Sequence, residues 1–131
     1  CFPESMEHKV RRQRKILGGA LRQVGVLGAA CLYAVKNNIK RLKEDHERAS
    51  FLANALNPYH CKKNGKDLQN FTNMVFFEPI EKKGSDLLSF LKNRGIIISK
   101  PSPQTRLVMH LNITDEILNN FIKTVKEFYG D

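Results

Sequence analysis

The chain has 131 residues, of which 41% are apolar, enough for one domain-sized core and too many for a disordered polypeptide. Lys and Arg number 22 against 13 Asp and Glu, a formal charge of +9 that favours anionic partners without choosing among nucleic acid, a lipid surface and a phosphorylated ligand. No apolar run reaches the ~18–20 residues that span a bilayer, because Lys36 ends the longest candidate, residues 24–35.

Pro3, Glu4 and Ser5 open a first helix that runs through Met6 and Val10 to Ile16 and Leu17 and stops at Gly18-Gly19. Its charged face carries His8, Lys9, Arg11, Arg12, Arg14 and Lys15. A second, long helix is expected from residue 21 to residue 56. Leu21, Val24, Gly28, Cys31, Leu32, Val35, Ile39 and Leu42 fall at helical spacing, Ala49, Leu52 and Leu56 continue the stripe, and Asn57-Pro58 ends it. Its first half, residues 20–35, is small or apolar all round, the pattern of a helix buried on every side. So short a chain needs covering mass from elsewhere to bury it. The second half has one charged face, with Lys40/Glu44, Arg41/Asp45 and Lys43/Glu47 at i,i+4 spacing, and reads as a surface helix.

Residues 57–70 read as a polar loop holding at most a weak edge strand. Residues 72–77 form a strand closed by Pro79. Ser85 caps a short helix over residues 86–93, with Leu87, Leu88 and Leu91 inward and Gly95 at its end. Residues 96–99 read as a short apolar strand, 100–105 as a proline loop and 106–111 as a third strand. Thr114 caps the last helix, whose inward residues are Ile117, Leu118, Phe121, Ile122, Val125 and Phe128, and Gly130 ends it. The order implies an α+β fold: long N-terminal helices, then a small antiparallel sheet with helices on one face. The expected division is a helical segment, residues 1–57, and a small C-terminal α+β domain, residues 58–131.

Chemistry-bearing residues are sparse. Cys1, Cys31 and Cys61 form neither a zinc pattern nor a disulfide framework and read as reduced thiols, with Cys31 buried. No metal site and no catalytic residue is assigned. His110, in an apolar strand, reads as a core histidine; His46 and His60 have no partner in view; Lys100, beside Pro101, is a solvated loop lysine. The two Asn-x-Ser/Thr matches, at Asn70 and Asn112, are read as chance. The most informative stretch is Arg14-Lys15-Ile16-Leu17-Gly18-Gly19-Ala20-Leu21-Arg22-Gln23. It joins a basic run to a small-residue helix through a glycine hinge, and Lys15 and Arg22 flank that hinge as an anion site at a helix N-terminus requires.

That stretch resembles a segment of the low-specificity L-threonine aldolases. Three further segments match the same family in order: Arg41-Leu42-Lys43-Glu44-Asp45-His46, Thr72-Asn73-Met74-Val75-Phe76 and Arg106-Leu107-Val108-Met109-His110-Leu111. Ala20 stands where the family has a third glycine, and Met109 where it usually has Thr. The resemblance implies the C-terminal portion of an enzyme with the aspartate aminotransferase fold. A large domain there holds pyridoxal phosphate on a lysine, a small domain closes over it, and subunits pair as a dimer of dimers. The implied reaction cleaves a β-hydroxy amino acid, threonine or allo-threonine, to glycine and acetaldehyde in the cytoplasm. The family's cofactor lysine lies upstream of this chain, so the isolated chain is expected to be inactive. Residue by residue, Arg106 matches the arginine that grips the substrate carboxylate, and Lys15 and Arg22 match basic residues near the cofactor phosphate or the subunit boundary. No nucleic acid and no membrane is expected as a partner on this reading. The alternative is a small basic α+β module that binds nucleic acid, motivated by the +9 charge and the basic first helix.

Overall fold

A computed structural model describes residues 2–62, 65–80, 84–100 and 104–131. The chain forms two compact units, Cys1–Ile39 and Lys40–Asp131, so the units divide earlier than the shift of composition at Asn57-Pro58. The fold is α+β, as expected: five α-helices and one three-stranded antiparallel sheet among the described residues.

The N-terminal unit begins with a 3-10 turn, Glu4–Met6, that leads into α1 (Glu7–Ile16). Pro3 precedes the turn, as suits a helix start. The glycines then end α1. Gly18 takes φ +77°, and the Gly19 N–H returns to the Arg14 carbonyl at 2.8 Å. A Cβ on Gly19 would lie 2.9 Å from Arg14 Cγ, so the chain closes tightly against its own helix at that point. Residue 20 onward was expected to be helical, but α2 (Gly25–Asn37) begins only after Gln23, which holds φ +52°.

The expected single helix to residue 56 is in fact two. α2 ends at Asn37, and α3 (Leu42–Leu56) starts after a turn over residues 38–41. The physical reason is the Asn37-Asn38 pair. Both are weak helix formers, and the Asn37 amide donates to the Tyr33 carbonyl at 2.8 Å, a local bond that competes with continued winding. Neither α1 nor α2 contains a buried residue. Cys31, expected to be buried, is therefore exposed.

The core lies in the second unit. α3 turns Ala49, Leu52, Ala53 and Leu56 inward, and a 3-10 turn, Asn57–Tyr59, follows at Pro58. The Asn57 side chain then accepts from the Leu68 N–H at 2.8 Å and ties the following loop down. Two short strands, β1 (Asn70–Phe71) and β2 (Met74–Phe77), form a hairpin across Thr72-Asn73. β1 is the weak edge strand, and β2 starts two residues later than expected because Thr72 and Asn73 make the turn. β3 (Thr105–Val108) pairs antiparallel with β2 in the register Met74↔Val108, Val75↔Leu107, Phe76↔Arg106 and Phe77↔Thr105. Val75, Phe77, Thr105 and Leu107 are buried; their neighbours Met74, Phe76, Arg106 and Val108 stand on the other face.

α4 (Gly84–Asn93) buries Leu87 and Leu91 and includes Ser85, expected as its cap, inside the helix. Gly95, at φ +77°, ends it, and the Ile96 N–H returns to the Leu91 carbonyl at 3.0 Å. That turn overrides the expected strand at residues 96–99, which pair with no strand. Ile96 and Ile98 lean on the core, and Ile97 is 84% exposed. Of the proline loop, residues 101–103 lie outside the described residues. α5 (Asp115–Tyr129) carries the cap expected of it: Thr114 Oγ1 accepts from the Ile117 N–H, and Gly130 closes the helix at φ +87°. Leu118, Phe121, Ile122 and Val125 are buried as expected, whereas Ile117 is half exposed.

Candidate functional site: an unpaired arginine on an open sheet face

Strand alternation explains where Arg106 stands. Its neighbours Thr105 and Leu107 are buried, so its own side chain must point to the opposite face. That face also carries Phe71, Met74, Phe76 and Val108, with the Phe71 and Phe76 rings 6.0 Å apart. Among the described residues the Arg106 guanidinium has neither an ion pair nor a hydrogen bond. With Ile96, Ile98, Val108, Ile113 and Ile117 it helps to line an apolar cleft of about 290 Å³. A planar cation beside apolar side chains suits a carboxylate carried on a small molecule.

A larger cleft, about 510 Å³, runs between α3 and the start of α5. It is a poor anion site. Glu44, Glu47 and Asp115 line it, and its cation, Arg48, is already engaged: Nε donates to Asp115 Oδ1 at 2.7 Å and Nη1 lies 3.7 Å from Glu44. The hydrogen bond to Asp115 holds the Arg48 pKa above the ordinary arginine value.

Lys15 and Arg22 belong to the other unit. Lys15 is in the last turn of α1, and Arg22 lies just before α2; both are exposed and have no acidic partner among the described residues. α2 has no side-chain cap at its start, so its first N–H groups are free of side-chain acceptors. Two unpaired cations around a glycine turn, followed by an uncapped helix, are a donor set that fits a phosphate.

His110 proves exposed rather than a core residue, because β3 has ended before it; its Nδ1 accepts from the Asn112 N–H at 3.3 Å. His60 does have a partner: its Nδ1 accepts from the Glu78 N–H at 3.1 Å. Lys100 is exposed, as expected. Among the described residues no group of three His, Cys, Asp or Glu could hold a metal ion. No helix among them is long and apolar enough to cross a membrane.

Sequence reasoning missed two features of this unit. The expected i,i+4 pair Arg41/Asp45 forms, with both terminal nitrogens of Arg41 at 2.8 and 3.1 Å, but it is not a surface pair: Asp45 is buried, 3% exposed. The signal was available: residue 45 sits on the apolar stripe formed by Leu42, Ala49, Leu52 and Leu56. Asn73, at the hairpin turn, bonds to both main-chain groups of Met109 at 2.8 Å.

The chain is an α+β segment in which Arg106, Lys15 and Arg22 have no acidic partner among the described residues. The family model described as beta-eliminating lyase matches residues 1–78, and the chain belongs to that family. It is similar to the low specificity L-threonine aldolase of Escherichia coli strain K12, with 41% identity over 108 residues, 82% of this chain and 31% of the relative. It is also similar to low-specificity L-threonine aldolase 1 of Arabidopsis thaliana, 34% identical over 116 residues, 85% of this chain and 32% of that one. A probable low-specificity L-threonine aldolase of Schizosaccharomyces pombe is 34% identical over 130 residues, 95% of this chain and 32% of the relative. The chain spans about a third of the length of the curated relatives it matches.

Proposed function

We propose that the chain is the C-terminal part of a pyridoxal-phosphate-dependent L-threonine aldolase and that Arg106 receives the α-carboxylate of its β-hydroxy amino acid substrate. The observation that carries this reading is the Arg106 guanidinium, without a partner among the described residues and lining an apolar cleft, on a segment 41% identical to a named threonine aldolase. Pyridoxal phosphate, when bound, supplies the electron sink for the pair left on Cα when the Cα–Cβ bond breaks. Arg106 acts on the substrate alone. Two parallel N–H···O bonds to the carboxylate fix the amino acid's orientation and therefore the direction of its Cβ. Arg106 is exposed in this chain, so exclusion of water from that ion pair, which would strengthen it, falls to the proposed large domain. Lys15 and Arg22, with the first N–H groups of α2, are suited to the cofactor phosphate. Cleavage also needs a base to take the β-hydroxyl proton, and no residue of this chain is assigned that role. The isolated chain is accordingly inactive, and the working enzyme is a cytoplasmic dimer of dimers completed by a large domain.

The test is substitution of Arg106 in the full-length enzyme. Arg106→Ala removes charge-assisted hydrogen bonds worth about 1.5–3 kcal/mol, so KM for threonine rises roughly tenfold to a hundredfold. Arg106→Lys, which keeps the charge and loses the fork, falls between. Cofactor absorbance stays unchanged in both. An unaltered KM would remove Arg106 from the substrate site, and threonine cleavage by the 131-residue chain alone would refute its inactivity. The competing reading is a nucleic-acid module, favoured by the charge of +9 and by Phe71 and Phe76 beside Arg106. Salt-dependent retention of a labelled oligonucleotide by the full-length protein would support that module; no retention at low salt dismisses it.

A further inference from the structure

We propose that Asn73 is a positioning residue for Arg106: it clasps Met109 through both main-chain groups, fixes the register of β3, and so keeps the arginine on the open face. The proposal rests on the carboxylate role given to Arg106 above. β3 has four residues and a partner strand on one side only. Because side chains alternate, a slip of one residue would drive Arg106 into the core and turn Leu107 out. So short an edge strand needs its register held at its ends.

Each end is held. At its first residue, Thr105 Oγ1 donates to the Ser99 carbonyl at 2.9 Å. After it, Met109 is bonded twice to Asn73: its N–H donates to the Asn73 carbonyl, and its carbonyl accepts from Asn73 Nδ2, both at 2.8 Å. The pairing continues the ladder by one step past Met74↔Val108. Residue 73, however, already belongs to the hairpin turn, and its side-chain amide supplies the donor that faces the Met109 carbonyl. The turn delivers that amide under strain. Thr72 is β-branched yet holds φ +53°, with its hydroxyl donating to the Phe71 carbonyl at 2.6 Å. A strained turn residue followed by a two-point clasp on the substrate-bearing strand is a constraint that the hairpin alone does not need, since Phe71↔Met74 already closes it.

The experiment uses Asn73→Asp in the full-length enzyme. The carboxylate keeps the size of the side chain but has no N–H to give, and it faces the Met109 carbonyl. KM for threonine should rise about tenfold, the effect of one lost buried hydrogen bond with its acceptor left unpaired, with kcat changed less than about threefold and cofactor absorbance unaltered. Asn73→Ser, which removes the amide without adding charge, guards against a variant that fails to fold and should act in the same direction. In an Arg106→Gln background Asn73→Asp should change KM less than about twofold, since a residue that acts through Arg106 has nothing further to lose. Hydrogen exchange over residues 105–109 should quicken in Asn73→Asp. Unchanged exchange there overturns the clasp, and an undiminished KM effect in the Arg106→Gln background overturns the link to Arg106. Should Arg106→Gln alone leave KM unchanged, the carboxylate role fails instead, and exchange still judges the clasp on its own.

Discussion

The buried pair Arg41–Asp45 gives the sharpest stability test, because the same helix supplies its own control. Asp45 is 4% exposed in its side chain and Arg41 18%, and the contact is bidentate at 2.8 and 3.1 Å. Lys43–Glu47, also i,i+4 on α3, is 3.6 Å apart with side chains 82% and 64% exposed. Removing one member of a buried pair leaves an uncompensated charge and costs about 3–5 kcal/mol. Asp45 lies in the first turn of α3, where the helix dipole returns about 0.3–1 kcal/mol to a carboxylate. Arg41→Ala should therefore destabilise the chain by about 2–4 kcal/mol. With a urea m-value of roughly 2 kcal/mol/M, the midpoint falls by about 1–2 M. Lys43→Ala should cost less than about 0.5 kcal/mol. Replacing both partners together, Arg41→Met with Asp45→Leu, should recover most of the loss, since a packed apolar pair pays no desolvation penalty. Urea melts of the wild type and these three variants supply the comparison. Equal costs for Arg41→Ala and Lys43→Ala would refute the burial argument; so would a double variant as unstable as Arg41→Ala.

Two smaller predictions concern the same unit. Burial, then the hydrogen bond to Asp131, pushes the Tyr59 pKa from 10 up to about 12. A raised pKa means that the folded state keeps its proton while the unfolded chain loses it. Stability attributable to Tyr59 is thus intact below about pH 10 and drains away from there to about 12. Denaturant midpoints at about pH 9 and about pH 11 should differ more in the wild type than in Tyr59→Phe, and equal differences would contradict the assignment. Thr114→Ala removes the α5 cap and should cost about 1 kcal/mol, with Thr114→Asp close to wild type. Thermal melts should show a loss of about 4–8 °C for the alanine variant only.

How much of this was legible in the sequence depended on whether a signal was local. The bounds of α5 were readable because its cap, its stripe and its terminal glycine are all written in one stretch; of the residues expected inward, only Ile117 is half exposed and Phe128 partly buried. β2 and β3 were readable as short apolar runs bounded by prolines and polar residues, but their ends were not: β3 spans Thr105–Val108 rather than 106–111. The outward direction of Arg106 follows from its buried neighbours Thr105 and Leu107. Residues 96–99 misled because an apolar run between turn signals looks like a strand whether or not an edge is free to pair. What decided there was the bond from Ile96 back to Leu91, which no periodicity displays. The long helix misled in the opposite way: a stripe can stay in phase across a break, so it does not reveal the weak link at Asn37-Asn38. The hairpin turn was invisible because Thr72-Asn73 contains no glycine. The carboxylate role of Arg106 came from the resemblance alone, since an arginine opening a strand is ordinarily a surface residue.

The four segments that carry the resemblance separate by what their residues do here. Arg41 and Asp45 seal α3 against the core, and Asn73 anchors β3; these are spent inside the unit. Lys15, Arg22 and Arg106 hold no partner among the described residues. The same contrast runs through the apolar residues. Lys40–Asp131 buries a core that includes Leu52, Leu56, Phe77, Leu87, Leu91 and Val125, while α2 leaves Val26 80% and Val35 60% exposed and buries nothing. A solvated helix of that composition gains little of the ~25 cal/mol per Å² that apolar burial returns, so composition and exposure disagree most in α2, an apolar helix with no buried residue. The proposed large domain resolves the disagreement in one step, because a surface that covers α2 and brings a phosphate to Lys15 and Arg22 gives both the apolar residues and the cations the partners they lack. Charged substitutions on α2, such as Val26→Glu, then separate the two units: the urea midpoint of the 131-residue chain should hardly move, whereas assembly of the full-length enzyme should fail. A midpoint that falls with the substitution would mean that α2 is already part of the core.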